Sequence, residues 1–383
     1  MTPINRPIFD LWPTLRGRLP WLELATLPTR VDPLERVTEA TGLAGARAWI
    51  KRDDLSSEIY GGNKVRTLEV LFGRSLARGT THIYATGAYG SNHALATALH
   101  APRAGLCPGA LLFPQPPSRP ALENLLASLS AGGEVLPVLH WSTLPLAMAR
   151  CLWRCRKAGR RAEIMVPGGA TPYGALGYVS AGLELAHQVA QGVLPAPESI
   201  VIAVGSTCTS AGLLVGLHHA ARAGIGFEKP PRLVSIRVTP WPVTSAFRIS
   251  KLAAATSRTL AALADDPSLE ISRRALSRQL EVDGTFLGRG YGVPTPEGRR
   301  AMEAFEIIPG LTLDSTYSAK AAAGLLSRLR IEAQRPTLFW STKSSVTLPA
   351  NSPEGIEASP RLIKWWIDRT RRSTEETSTE RDR

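Results

Sequence analysis

The sequence predicts an α/β chain built on open, mostly parallel twisted sheets flanked by helices. Strand-length apolar runs alternate with longer amphipathic stretches between about residues 48 and 341. That order places helices on the faces of parallel sheets. Glycine or small hydroxyl residues stand where strand-like runs give way to helices, as at Gly61–Gly62 and over 205–210. No repeat of 20–50 residues is visible, so repeat arrays are not expected.

The elements follow in order. Residues 1–45 are Pro-rich and irregular, with a helical patch near Leu34–Thr41. AWIKRDD from Ala48 reads as a strand, and a helix follows from about Asn63 to Arg78. Asn63 is a good N-cap, and Leu68, Leu71 and Leu76 supply an apolar side. THIYATG (81–87) precedes a helix over Asn92–His100, GALLFP (109–114) a helix over Ala121–Leu129, and GEVLPVL (133–139) a helix near 143–158. EIMVPGG (163–169) leads to a helix with Thr171 as N-cap, Pro172 as first residue and Gly192 as stop. SIVIAV (199–204) runs into a small-residue loop and a helix from about Ser210, and RLVSIRV (232–238) is a further buried strand. Helical segments fill much of 241–306, Ser315–Leu329 is a helix, and PTLFWS (336–341) is the last clear strand. The polar end, 373–383, reads as disordered.

Composition narrows the function classes. The chain has 383 residues, 44% hydrophobic and 20% charged, enough to bury a sizeable core. No apolar run approaches the ~18–20 residues of a membrane span, and the first 20 residues lack a secretory apolar core. Four cysteines in such a length fit a reducing compartment rather than a disulfide scaffold. Lys+Arg outnumbers Asp+Glu by 45 to 32, a net +13. The densest basic cluster, Arg150 to Arg161, reads as a solvated helix face, since no aromatic stacking set accompanies it. No nucleic-acid or membrane partner is therefore expected. Cys151 and Cys155 lack a second Cys/His pair, so no metal is expected.

Three clusters could carry chemistry. Lys64 follows Gly-Gly-Asn at a helix start, where the helix dipole disfavours its charged form. A lysine of lowered pKa is what Schiff-base chemistry needs, although a surface lysine in a first turn fits the same residues. Ser91, Asn92 and His93 fall at a strand-to-helix turn able to bind a carboxylate, or simply to cap. Gly205, Ser206, Thr207, Cys208 and Thr209 open a helix after a buried strand and form a plausible phosphate cradle, though neither a Walker loop nor GxGxxG.

Taken in order, GGNK (61–64), SNH (91–93), PGGATPYGALGYVSAGLELA (167–186), GSTCTSAG, RGYGVPTPEG (289–298) and LDSTYSAKA (313–321) resemble the D-cysteine desulfhydrase / 1-aminocyclopropane-1-carboxylate deaminase family. That family has the tryptophan-synthase-β-like fold and depends on pyridoxal phosphate. The resemblance runs from about Trp49 to Trp340. It implies two sheets, a large cofactor-binding domain over 1–62 and 178–372, a small domain over 63–177, a homodimer and a cytoplasmic location. It implies that Lys64 carries the cofactor as an imine, with Asn63 beside it. It further implies that Ser91, Asn92 and His93 hold the substrate carboxylate and lie against the cofactor ring. By the same resemblance Gly205–Thr209 hold the phosphate, Tyr291 and Tyr317 are the active-site tyrosines, and Thr342 lies near the pyridine nitrogen.

Four departures from the family pattern bear on cofactor affinity and substrate. Thr67 stands where a lysine is usual, and Thr207 and Cys208 replace loop glycines. Gly90 replaces a glutamine, and Ser341-Thr342-Lys343-Ser344 replaces His-Thr-Gly-Gly. The expected reaction is β-elimination from a small, D-cysteine-like amino acid. The alternatives are cyclopropane ring opening or another pyridoxal-phosphate reaction, and a degenerate, non-catalytic relative.

Overall fold

The computed structural model describes residues 5–348 and 352–379. The strands are β1 (Val31–Pro33), β2 (Ala48–Arg52), β3 (His82–Ala88), β4 (Cys107–Phe113), β5 (Glu134–Pro137), β6 (Ala162–Ile164), β7 (Ser199–Val204), β8 (Arg232–Arg237), β9 (Leu280–Asp283) and β10 (Thr337–Ser341). The helices are α1 (Pro7–Leu11), α2 (Glu35–Ala40), α3 (Asn63–Ala77), α4 (Asn92–His100), α5 (Arg119–Ser130), α6 (Leu144–Lys157), α7 (Pro172–Ala190), α8 (Cys208–Arg222), α9 (Ala246–Ala264), α10 (Arg273–Arg278), α11 (Pro296–Phe305), α12 (Ser318–Ile331), α13 (Pro353–Glu357) and α14 (Arg361–Thr379).

The chain divides into two compact units, Met1–Gly73 with Ala170–Val346, and Arg74–Gly169 with Thr347–Arg383. The first holds a six-stranded sheet in the order β1-β2-β10-β7-β8-β9, parallel except for β1 on β2. Along β7, Ile200, Ile202 and Val204 join one apolar cluster with α7, α8 and α9, while Val201 and Ala203 join another with α11 and α12. Helices thus cover both faces, which explains why β7 reads as an unbroken apolar run. Helices α7 and α8 pack backbone to backbone: a Cβ on Gly212 or Gly216 would lie 2.3 Å from the carbonyl of Ala175 or Val179. The second unit holds the parallel sheet β5-β4-β3-β6.

A buried ionic network fixes the start of α3. Arg66 donates to Asp53 Oδ1 at 2.7 Å and to both Glu184 oxygens at 2.9 Å. Lys51 Nζ donates to Glu184 Oε1 at 2.5 Å. All four side chains are at most 4% exposed. Their mutual pairing offsets the desolvation of each charge, and α3, α7 and β2 are locked together two residues from Lys64.

Several expectations need correction. The stretch 241–306 is not only helical: β9 adds to the sheet edge, its Leu280/Val282 alternation with Glu281/Asp283 being too short to stand out. β1 was also missed, at the opposite edge. The strand expected over 163–169 stops at Ile164, and Pro167 with left-handed Gly168 and Gly169 turns the chain instead. The unit boundaries differ from those expected. Residues 63–73 and 170–177 lie in the first unit, where a Cβ on Gly177 would lie 2.0 Å from Arg66 O. The C-terminal helices lie in the second, where Trp366 Nε1 donates to Gln115 O at 2.9 Å and its ring meets Tyr89 at 5.2 Å. The segment expected to be disordered from 373 is helical as far as Thr379, and 380–383 lie outside the described residues. Buried Ile363, Trp366, Ile367 and Thr370 anchor α14, and a nucleated helix extends at little cost.

Candidate active site

The first unit gathers Lys64, Asn63, Gly205–Thr209, Tyr291, Tyr317 and Thr342 through a chain of contacts. Asn63 Nδ2 donates to Thr209 Oγ1 at 2.9 Å, tying the start of α3 to the loop after β7. Asn63 N donates to Thr342 O at 2.9 Å, at the exit of β10. Gly62, at φ 88°, allows that approach, because a Cβ there would lie 2.6 Å from the same carbonyl. Lys64 is half-buried and has no ion-pair partner among the described residues. Burial pushes its pKa below that of an ordinary lysine, and Cys208 partly opposes the shift.

The loop 205–209 is built as a cradle. Thr207 takes a left-handed conformation, φ 70°, where the family pattern has glycine, and its side chain does not cap α8. The first N–H groups of a helix have no intrahelical acceptor, so they suit an anion. Thr239 and Thr244 both donate to Gly205 O, bracing the loop from behind. A Cβ on Gly205 would lie 3.2 Å from Tyr317 Cε1. Tyr317 in turn meets Tyr291, hydroxyl to hydroxyl, at 2.8 Å. Burial pushes Tyr291 up to about 12 and Tyr317 well above the ordinary phenol range, so both stay protonated near neutrality.

These residues fit pyridoxal phosphate. An amine of lowered pKa, a cradle of amides and hydroxyls, and a buried Ser341 Oγ with no hydrogen-bond partner among the described residues at the exit of β10 match its aldehyde, phosphate and polar ring. Among the described residues no group of three or more His, Cys, Asp or Glu could hold a metal ion. No helix of the described residues is long and apolar enough to cross a membrane.

Ser91, Asn92 and His93 belong to the second unit, at the start of α4. Ser91 Oγ accepts from Ala94 N at 3.3 Å, and Asn92 Oδ1 accepts from Asn124 Nδ2 at 2.8 Å. The structure explains Gly90: a Cβ there would lie 2.6 Å from Ala121 Cα in α5. Gln115 presents a carboxamide to this backbone. Its Oε1 accepts from Gly90 N at 3.1 Å, and its Nε2 lies 3.2 Å from where that Cβ would be.

Sequence reasoning missed Gln115, Asn124, Tyr60 and Lys343. Lys343 Nζ donates to Tyr60 Oη at 3.0 Å, and Tyr60 acts electrostatically on Tyr317. Only Lys343 carried a signal, as a cation in a family Gly-Gly. Asp314, quoted in the sequence only within a motif and given no role there, caps its own turn. It accepts from the amides of Thr316, Tyr317 and Ser318 at 2.9–3.1 Å.

Comparison with known proteins gives the same assignment. The model of the "Pyridoxal-phosphate dependent enzyme" family matches residues 22–342. The chain is 34% identical over 332 residues to nocardicin C-9' epimerase of Nocardia uniformis subsp. tsuyamanensis, covering 86% of this chain and 94% of that protein. It is 32% identical over 345 residues to D-cysteine desulfhydrase of Salmonella choleraesuis (strain SC-B67), covering 88% and 97%. The solved structure of an ACC deaminase homologue superposes with TM-score 0.72 at 28% identity, covering 90% of this chain and 96% of that one. Threonine deaminase isoform 2 from Solanum lycopersicum, at TM-score 0.52 and 15% identity with 88% and 84% covered, shares the fold. With Lys64 beside the cradle of Gly205–Thr209 and the match spanning both units, this chain belongs to the pyridoxal-phosphate dependent enzyme family, in its D-cysteine desulfhydrase/ACC deaminase group.

Proposed function

We propose that this enzyme eliminates the β-substituent of a small amino acid of the D-cysteine type, releasing pyruvate, ammonia and, from cysteine, sulfide. Ser318 is the observation that carries the reading. The resemblance places glutamate at that position in the cyclopropane-opening branch and a small hydroxyl residue in the desulfhydrase branch. Here Ser318 Oγ donates to Asp314 Oδ1 at 2.7 Å and accepts from Asp314 N at 2.7 Å. The carboxylate of the ring-opening branch is absent, and the hydroxyl in its place is consumed in the cap of α12.

Lys64 would carry the cofactor, Gly205–Thr209 its phosphate and Thr342 its ring nitrogen. Bound pyridoxal phosphate supplies the sink for the electron pair left when a bond to the substrate α-carbon breaks. The lowered pKa of Lys64 leaves more of its amine uncharged near neutrality, able to take the α-proton. The paired phenols of Tyr291 and Tyr317, both protonated, can deliver a proton to a departing β-substituent. Ser91, Asn92 and His93 are proposed to hold the substrate carboxylate, Ser91 also assisting proton transfer and Asn92 also facing the cofactor ring. A homodimer in the cytoplasm is part of the same proposal, checked by sedimentation of the purified chain and by localisation in cells.

The test is ammonia release from D-cysteine, L-cysteine, β-chloro-D-alanine and the cyclopropane amino acid side by side, with the accompanying product identified: pyruvate from the first three, sulfide from the cysteines, and a four-carbon 2-oxo acid from the last. D-Cysteine turnover should exceed that of the cyclopropane substrate, and the reverse order overturns the reading. The 34% identity to an epimerase favours a second reading, inversion at the α-carbon. That reaction begins with loss of the same proton but retains the β-substituent. Inversion with solvent deuterium entering the α-position, without pyruvate, would establish it instead.

A further inference from the structure

Lys320 lies on α12, three residues after Tyr317, and is 0% exposed. An ammonium so enclosed is costly unless its donors are satisfied. Lys320 Nζ donates to Leu287 O at 2.8 Å and to Gly290 O at 3.1 Å. Those carbonyls bracket the tight turn through Gly288, at φ 63°, and Gly290, at φ 144°, and Tyr291 follows directly. Between Leu287 and Pro296 the chain runs without helix or strand. Glycines at such angles cost the unfolded chain much entropy, so the turn needs an external tether. Lys320 provides it from the helix whose N-terminus carries Tyr317.

We propose that Lys320 is a positioning residue for the tyrosine pair: by gripping Leu287 O and Gly290 O it holds the Tyr291 hydroxyl against that of Tyr317. The inference rests on the reading that this pair moves a proton. Lys320 itself touches neither tyrosine hydroxyl; it acts through the backbone of the turn. A leucine or methionine would fill the same space but take the donor from Leu287 O and leave Gly290 O only the 3.4 Å bond from Val293 N. A residue that only packed would not need the ammonium.

The experiment uses the full-length holoenzyme and the variants Lys320→Met, Lys320→Arg, Tyr291→Phe and Lys320→Met/Tyr291→Phe. Deuterium exchange should rise in Lys320→Met across the amides of 288–293 and stay unchanged in the peptides of β7 and β10. With D-cysteine, kcat should fall about a hundredfold, the loss that roughly 1 Å of misplacement brings, with KM nearly unchanged. Lys320→Arg, which keeps donors for both carbonyls, should restore most of that loss. The double variant should be no slower than Tyr291→Phe alone, because the two act as one unit. Unchanged exchange at 288–293, or additive losses in the double variant, overturns the inference. If Lys320→Met does not fold, Lys320→Arg decides: exchange and kcat near wild type support the tether, and losses in both overturn it. If the wild type does not turn over D-cysteine, the functional reading fails while the exchange measurement still judges the tether.

Discussion

Thr67 Oγ1 lies 4.0 Å from Cys208 Sγ, with both side chains buried. Each departs from the family pattern, and the structure makes them one change rather than two. The thiol occupies space beside α3 that a glycine would leave open, and a small threonine faces it. Burial raises the Cys208 pKa, so the thiol is neutral and adds no charge of its own to the 205–209 loop. Restoring lysine at 67 alone should therefore crowd Sγ and weaken pyridoxal-phosphate binding. The double change Thr67→Lys/Cys208→Gly should bind tighter than the wild type. The two substitutions should couple by about 0.5–3 kcal/mol, as contacting residues do. Absorbance titrations of Thr67→Lys, Cys208→Gly and the double variant decide it, and a Thr67→Lys single variant as tight as the double would refute the coupling.

Lys64 should be the attachment point. Borohydride treatment of the holoenzyme should fix the cofactor to the peptide holding Lys64, and label elsewhere would sink the assignment. Lys64→Ala should cost about 10²–10⁴ in turnover, the range of a lost general base, whatever substrate proves best.

Gln115 makes a sharper claim about the second unit. If its carboxamide replaces the missing one at position 90, Gln115→Ala should raise KM for amino-acid substrates several-fold and leave kcat close to wild type. Gly90→Gln should not rescue it, since a Cβ at 90 meets Ala121 Cα at 2.6 Å. Steady-state kinetics of both variants test the pair, and a kcat effect without a KM effect contradicts it.

The α/β alternation, the loop over 205–209 and the helix start at Asn63–Lys64 were legible because each is written in a contiguous stretch: an apolar run, a small-residue turn, a helix start. β1 and β9 were not, since three- or four-residue edge strands with one apolar face carry almost no periodic signal. The same limit hid Gln115, which acts on Gly90 across 25 positions of sequence. Gly90 could be read as a loss, but nothing in the sequence sets Gln115, in the loop between β4 and α5, against its backbone. Lys320 was quoted within a motif, yet nothing in the sequence tells an ammonium that grips Leu287 O and Gly290 O from one facing water.

The buried network sets an acid limit on stability. Burial alone would raise the Glu184 pKa, but Arg66 and Lys51 hold it down to about 2. Asp53, buried beside Arg66, is lowered too. A carboxylate depressed in the folded state stabilises fully above its unfolded pKa, about 4.3 for a glutamate, and that contribution is lost as pH falls toward the folded value. Unfolding free energy should therefore drop between about pH 5 and 2. Glu184→Gln should destabilise by about 3–5 kcal/mol at neutral pH, since Arg66 and Lys51 lose a shared counter-charge. The variant should also flatten the acid slope, and urea unfolding at several pH values checks both. An acid slope unchanged in Glu184→Gln would assign it to other carboxylates.

Ser318 is proposed to decide between branches of the group, and its hydrogen bonds to Asp314 change how that can be tested. Introducing glutamate at 318 in the wild-type background would place a second carboxylate against Asp314, whose oxygens already accept from three amides and the Ser318 hydroxyl. Like charges so close raise each other's pKa and cost stability. Ser318→Glu alone should therefore lose activity on every substrate by unseating Tyr317, one residue away. A fair exchange is Ser318→Glu with Asp314→Asn, which keeps a side-chain oxygen to cap the turn and removes one charge. A thiolate leaves the β-carbon readily once the α-proton is gone, whereas the cyclopropane ring has no such leaving group and needs further assistance. The wild type should release pyruvate from D-cysteine or β-chloro-D-alanine and turn over the cyclopropane amino acid little. The double variant should shift the ratio toward the cyclopropane substrate. Side-by-side rates on these substrates measure it. A double variant that folds, binds the cofactor and shows the wild-type ratio would remove Ser318 as the determinant of reaction choice.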